Sequence, residues 1–267
     1  MKDNKAFRLG LLGHPVSHSK SPEIFAQYFA EAGIQNGAYE LLDLPNMADF
    51  PTFIREHINQ EIPLKGFNVT VPHKVGIMSY LDTISAEARA VGAVNTVLVK
   101  GNPNHFTLHG HNTDVVGFAK SLQVANPSGS HVIGNAIIFG NGGSAQAVKF
   151  ALSQANIPYH IWHRNRWITP SSNPENPVEH LQPNTLFVNT TPLGMWPNEN
   201  GYIEWPWETL QSSHRLIDLV YNPEVTQLMQ QFIARNAFVM NGKHMLQQQA
   251  VEAWTLFQQN LDESVEG

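Results

Sequence analysis

The sequence predicts an α/β chain in two parts, an N-terminal α/β domain with a mostly parallel sheet and a second, doubly wound domain after it. Two observations carry this. Short apolar runs at residues 9–12, 39–42, 66–71 and 95–99 alternate with amphipathic stretches such as 47–58 and 84–91, and such alternation gives βαβ units whose strands run parallel. Further along, an apolar run at 135–139 enters Gly140-Asn141-Gly142-Gly143-Ser144-Ala145 and a helical stretch, 146–154, leaves it.

Composition narrows the class. A chain of 267 residues with 42% hydrophobic content can bury a substantial core. The net charge of -6 argues against a nucleic-acid surface, which needs clustered Lys and Arg. With no cysteine there is neither disulfide nor thiolate metal site, as expected in a reducing cytoplasm. Residues 1–5 lead straight into a strand without the apolar core of a signal peptide, and no run is long enough to span a membrane. The expectation is a cytoplasmic monomer or homodimer that handles small molecules.

The elements follow in order. After strand 9–12, Gly13-His14-Pro15-Val16-Ser17-His18-Ser19-Lys20-Ser21-Pro22 opens a helix. Ser21 reads as its N-cap and Pro22 as its first residue, with Ile24, Phe25, Tyr28, Phe29 and Ala32 as the apolar stripe and Gly33 as the stop. Capping accounts for Ser21 but leaves Ser19 as a second hydroxyl at the same helix mouth, suited to a carboxylate or polyol. Strand 66–71 ends in Val71-Pro72-His73-Lys74. Pro72 suits the first turn of a helix beginning around His73, which would place Lys74 near the positive end of a helix dipole. Asp114 heads a helix at 115–122, followed by a polar linker at 125–131.

The glycine turn has the Gly-x-Gly-x-x-Ala form of a dinucleotide site. Gly140 makes the tight turn, Gly142 lets pyrophosphate approach the backbone, and Ala145 lets helix and strand pack closely. This makes residues 114–242 a Rossmann-like domain. The next strand, 159–162, ends in His163-Arg164-Asn165-Arg166 in place of the Asp or Glu that would hold an NAD ribose. Two guanidinium groups with no carboxylate beside them suit the 2′-phosphate of NADP. The prolines of segment 170–177 forbid a long helix after that loop.

Gly66-Phe67-Asn68-Val69-Thr70-Val71-Pro72-His73-Lys74 and the serine segment occur with Gly92-Ala93-Val94-Asn95-Thr96 and Gly110-His111-Asn112-Thr113-Asp114. Asn189-Thr190-Thr191-Pro192-Leu193-Gly194-Met195 and Asn241-Gly242-Lys243-His244-Met245-Leu246-Gln247-Gln248-Gln249-Ala250 follow in the same order. From about Leu9 to Phe257 the chain resembles the shikimate dehydrogenases. The resemblance implies reversible reduction of 3-dehydroshikimate to shikimate with a nicotinamide cofactor. It carries over Lys74 and Asp114 as the catalytic pair, and Ser19, Ser21, Thr70, Asn95, Tyr221 and Gln249 as substrate residues. For the cofactor it implies Gly140 to Ala145, His163 to Arg166, Thr190, Leu219 and Gly242.

The residues suit these roles. Ketone reduction needs a proton on oxygen, which a lysine beside the carbonyl supplies, and a carboxylate keeps that lysine charged. Asp114 reads equally as the cap of its helix. Hydroxyl and amide groups read a polyol without adding charge. Because substrate motifs lie at both ends of the chain, the helix from 243–267 is expected to complete the first domain, 1–113, with the active site in a cleft that closes on ligand. A quinate or dual-specificity relative using NAD is the nearest alternative, and a nucleotide-binding regulator without catalysis the next.

Overall fold

A computed structural model of the chain describes residues 6–127, 133–168, 176 and 178–266. The chain divides into two compact units, one formed by residues up to Thr113 together with those from Gln249 onward, the other by Asp114–Gln248.

The first unit contains β1 (Phe7–Gly13), α1 (Ser21–Glu31), β2 (Gly37–Asp43), α2 (Phe50–Ile58), β3 (Leu64–Val69), β4 (Thr83–Ile84), α3 (Ala86–Val91), β5 (Thr96–Asn102) and β6 (His105–His111). Its six strands run in the order β2-β1-β3-β5-β6-β4. β1 pairs parallel with β2 and β3, and β4 parallel with β6, whereas β5 is antiparallel to both β3 and β6. β5 falls on the predicted strand at 95–99, whereas β6, its hairpin partner, is additional to the predicted strands, because it alternates His and Thr with Phe and Leu and makes no apolar run. One apolar cluster, with Phe50, Ile54, Phe67 and Val97, covers one face, and a second, with Phe25, Phe29, Leu98 and Phe257, covers the other.

The second unit contains α4 (Asp114–Ala125), β7 (Ala136–Phe139), α5 (Gly143–Gln154), β8 (Tyr159–His163), β9 (Arg166–Trp167), β10 (Leu186–Asn189), β11 (Arg215–Asp218), α6 (Gln227–Ile233) and β12 (Phe238–Met240). The sheet order is β12-β11-β10-β7-β8-β9, parallel throughout except for β9. β7 therefore has a later strand on either side, β8 and β10. The point where the strand order reverses lies at its C-terminal end, where open α/β sheets bind ligands. Phe139, Phe187, Phe232 and the indoles of Trp162, Trp167 and Trp205 fill this unit's core.

The last helix, α7 (Lys243–Glu266), passes from one unit to the other between Gln248 and Gln249, inside the helix and not at its start. Within the first unit its Ala250, Ala253 and Phe257 are buried, and Asn260 donates to the carbonyls of Lys65 and Val99 at 2.9 and 3.1 Å. Those bonds fix the helix against the sheet at residues far apart in sequence. No helix among the described residues is long and apolar enough to cross a membrane. The predicted linker at 125–131 and the proline-rich segment at 170–177 lie largely outside the described residues.

Candidate active site

A chain of polar groups runs through the first unit. The Ser19 hydroxyl donates to that of Ser21 at 3.2 Å and accepts from the Ser21 backbone N–H at 3.2 Å. The helix cap differs from expectation, for Lys20 stands at the N-cap position, Ser21 is the first helical residue, and no side chain caps from within the helix. Ser19 takes over that N–H, because proline in the first turn leaves fewer donors to satisfy. Ser21 in turn hydrogen-bonds Tyr39, and burial pushes the Tyr39 hydroxyl well above its ordinary pKa, a rise which that bond partly offsets.

From Tyr39 the chain continues inward. The Tyr39 hydroxyl donates to Asn68 Oδ1 at 2.8 Å, and Asn68 Nδ2 donates to Thr96 Oγ1 at 3.0 Å. Thr96 Oγ1 donates to Asn95 Oδ1 at 3.1 Å, and Asn95 Nδ2 donates to Thr113 Oγ1 at 2.9 Å. Thr113 closes the path with a long 3.4 Å bond to Gln249 Oε1. Ser19, Ser21, Asn95 and Gln249, which the resemblance carries over as substrate residues, are ends and nodes of one network. Tyr39, Asn68, Thr96 and Thr113 are its unforeseen members. Gln248 and Gln249 are both half-buried while Gln247 is exposed, so burial sets Gln247 apart, and Gln249 is the one that the Thr113 bond ties into this network.

Lys74 stands differently from the prediction. β3 ends at Val69, and residues 71–75 form turns before a 3-10 helix, Gly76–Tyr80. Lys74 precedes that helix, so the dipole argument does not apply to it. A regular helix is displaced by tertiary bonds, because the Lys74 carbonyl accepts from the Val94 N–H at 2.8 Å and the buried His73 ring bonds the Leu44 carbonyl. Thr70, half-buried, is held by its N–H to the Leu12 carbonyl at 2.8 Å. Its methyl lies so close to Gly13 that a Cβ there would stand 2.3 Å away.

In the second unit, Asp114 is the first residue of α4 and is buried. Gly140 has φ +100°, in the left-handed region that favours glycine, and a Cβ on it would meet Thr190 Oγ1 at 2.7 Å. A Cβ on Gly142 would meet nothing within 4 Å. That space opens onto the N-terminus of α5, where Gly143 and Ser144 lie in the first turn and Ala145 is buried. Lys149, with a pKa lowered by burial, reaches back to Asn141 Oδ1 at 3.1 Å. No local pattern announced that contact.

Arg164 and Asn165 have φ of +51° and +61°, and β9 returns antiparallel with Arg166 opposite His163. Two successive left-handed residues between antiparallel strands make a type I′ hairpin, which occupies the place of a longer helix. A pocket of about 330 Å³ lies here, with Gly140, His163, Arg164, Asn165, Thr191 and Glu204 among the residues of its wall. One expectation is corrected, for a carboxylate does stand beside the loop, since Asn165 Nδ2 donates to Glu204 Oε2.

The loops beyond β10 and β11 are fastened together. Asn189 Nδ2 donates to Asp218 Oδ1 at 2.8 Å, while Asn189 Oδ1 accepts from the Thr191 N–H and hydroxyl at 2.9 and 2.7 Å. Thr226 Oγ1 donates to Asp218 Oδ2 at 2.7 Å. Burial raises the Asp218 pKa against these bonds. Thr190 donates to the Phe139 carbonyl at 2.7 Å, and Gly242 approaches Leu219 so closely that a Cβ would lie 2.1 Å from its carbonyl oxygen. Tyr221, half-buried with its pKa raised by burial, follows in the same segment. Asp114 and Tyr221 thus belong to the second unit, and the other predicted catalytic and substrate residues to the first.

Residues 11–97 match the family described as the shikimate dehydrogenase substrate binding domain. A protein of Paramagnetospirillum magneticum named shikimate dehydrogenase (NADP(+)) is 37% identical, over 94% of this chain and 93% of its own. The chain belongs to the shikimate dehydrogenase family. Solved members of the family share its fold. A shikimate dehydrogenase crystallised with NADP+ aligns over 96% of this chain and 91% of its own with a TM-score of 0.79 at 30% identity. That of Thermus thermophilus, solved with NADP(H) and shikimate, covers 97% and 98% with a TM-score of 0.75 at 29% identity. Like other shikimate dehydrogenases, the chain joins an N-terminal substrate domain to a Rossmann-like one.

Proposed function

We propose that this chain catalyses the reversible, NADP-dependent reduction of 3-dehydroshikimate to shikimate, a cytoplasmic step toward the aromatic amino acids. The hydrogen-bonded network from Ser19 to Gln249 is the observation that carries the reading, because its hydroxyl and amide groups are the neutral donors and acceptors that a carboxylated polyol would use. Ser19 and Ser21 hold the substrate carboxylate, Thr70, Asn95 and Gln249 its ring hydroxyls, and Tyr221 borders the same ligand.

The cofactor residues fit a dinucleotide. The open space at Gly142 admits a pyrophosphate to the backbone N–H groups of α5, and Arg164 supplies a guanidinium to the ribose side. Asn141, Gly143, Ser144 and Ala145 form the turn, and Thr190, Leu219 and Gly242 border the nicotinamide end. When bound there, NADPH would supply the hydride for the ketone carbon. Lys74 Nζ gives its proton to the ketone oxygen as negative charge develops there, and takes it back in the oxidation direction. Asp114, buried at the start of α4, is the second residue that the family resemblance assigns to catalysis.

The test is purified protein with shikimate or quinate, and NADP or NAD, followed by nicotinamide absorbance. Turnover of shikimate with NADP is expected to exceed that of the other three combinations. Absence of turnover with all four would remove the enzymatic reading.

A further inference from the structure

We propose that Glu204 tempers the preference for NADP that Arg164 favours, opposing a phosphate at the ribose 2′ position and accepting a hydrogen bond from a free 2′-hydroxyl. The proposal rests on the reading that the pocket at the β8-β9 turn takes the adenosine end of the cofactor.

Glu204 is held in place by what surrounds it. Its neighbours Ile203 and Trp205 are buried, and the Trp205 ring packs on Phe139 and Phe187 at centroid distances of 5.5 and 5.4 Å. The backbone is therefore anchored in the core, while the intervening carboxylate faces outward on the pocket wall. Asn165, fixed by the tight hairpin, donates to one carboxylate oxygen and leaves the other as an acceptor. Arg164 lines the same pocket, so one cation and one anion share the wall that a 2′-phosphate would meet. A dinucleotide fold selective for NAD places its acid at the end of the second strand. Here that strand ends in His163-Arg164, and an acid reaches the same pocket from a segment beyond β10, thirty-nine positions from Asn165. A dianionic phosphate gains from Arg164 and loses to Glu204.

Calorimetric titration of the full chain with adenosine 2′,5′-bisphosphate and with 5′-AMP tests this without reference to turnover. Glu204→Gln should raise the ratio of bisphosphate to AMP affinity about threefold, the scale of exposed charge interactions, and Glu204→Lys should raise it further. Added salt should shrink both effects. A ratio equal to or below the wild-type value in both variants would overturn the role of Glu204 and leave the pocket assignment standing. Wild-type protein that bound neither nucleotide would overturn the pocket assignment and the proposal with it.

Discussion

Tyr39 keeps part of its ring exposed, yet its hydroxyl is enclosed between Ser21 and Asn68. Tyr39→Phe removes one donor and leaves Asn68 Oδ1 buried without it. The expected loss is about 1 kcal/mol of folding stability, read from a urea midpoint. The KM for shikimate should rise while that for NADP holds, because Tyr39 positions the serine pair. Equal rises in both constants would reduce Tyr39 to a structural residue. Ser19→Ala removes a donor from the same end, and steady-state kinetics should show the same selective rise in the shikimate KM. A change in the NADP constant alone would contradict the assignment. The serines drew notice in the sequence through a capping assignment that the structure moves to Lys20, and their substrate role came from the resemblance. Tyr39 and Asn68 could not, since each looks like an ordinary strand residue until β2 and β3 are brought to either side of β1.

The strand-turn-helix unit from Ala136 to Gln154 holds two glycines with opposite requirements. Gly140 combines left-handed φ with a neighbour 2.7 Å from any added Cβ, while Gly142 has ordinary φ and open space. Gly140→Ala should therefore cost about 1 to 3 kcal/mol of stability. Gly142→Ala should leave the melting temperature unchanged and weaken NADP binding, since its methyl fills the space a pyrophosphate would take. Thermal melts and titrations on both variants check this, and a large melting shift in Gly142→Ala would contradict it. This unit was legible because its glycine spacing is a local signal with a local cause. The segment after Val71 was not, for the proline suggested a helix start and tertiary bonds at His73 and Lys74 decided otherwise. The β8-β9 hairpin was half legible. Prolines excluded a long helix, but Arg164 in a left-handed conformation carries no sequence signature.

Across the whole chain, His109, His111, His160 and His214 all have pKa values lowered, in each case first by burial. Their unfolded value is 6.5, so as pH falls below it the unfolded chain takes up protons before the folded one. Stability then declines with falling pH and is fully present above that value. The urea midpoint should drop between about pH 7.5 and about pH 5.5, a window above the ordinary carboxylate range in which the raised Asp218 and Glu87 would act in the opposite sense to the histidines, and a flat profile would contradict the account. The division into two units was legible from the glycine turn and the motif order, whereas the change of unit inside α7 was not, because its apolar stripe runs on without a break. Glu204 was invisible for a related reason, since its partner Asn165 is distant in sequence.

The most direct test of the account compares kcat for shikimate oxidation with NADP in wild-type protein and in Lys74→Ala. The account predicts measurable wild-type turnover and a fall of about a hundredfold to ten thousandfold in the variant, the scale of lost general acid catalysis, with the shikimate KM changing far less. Near-normal turnover in Lys74→Ala would contradict the mechanism, and an inactive wild-type protein would contradict the function.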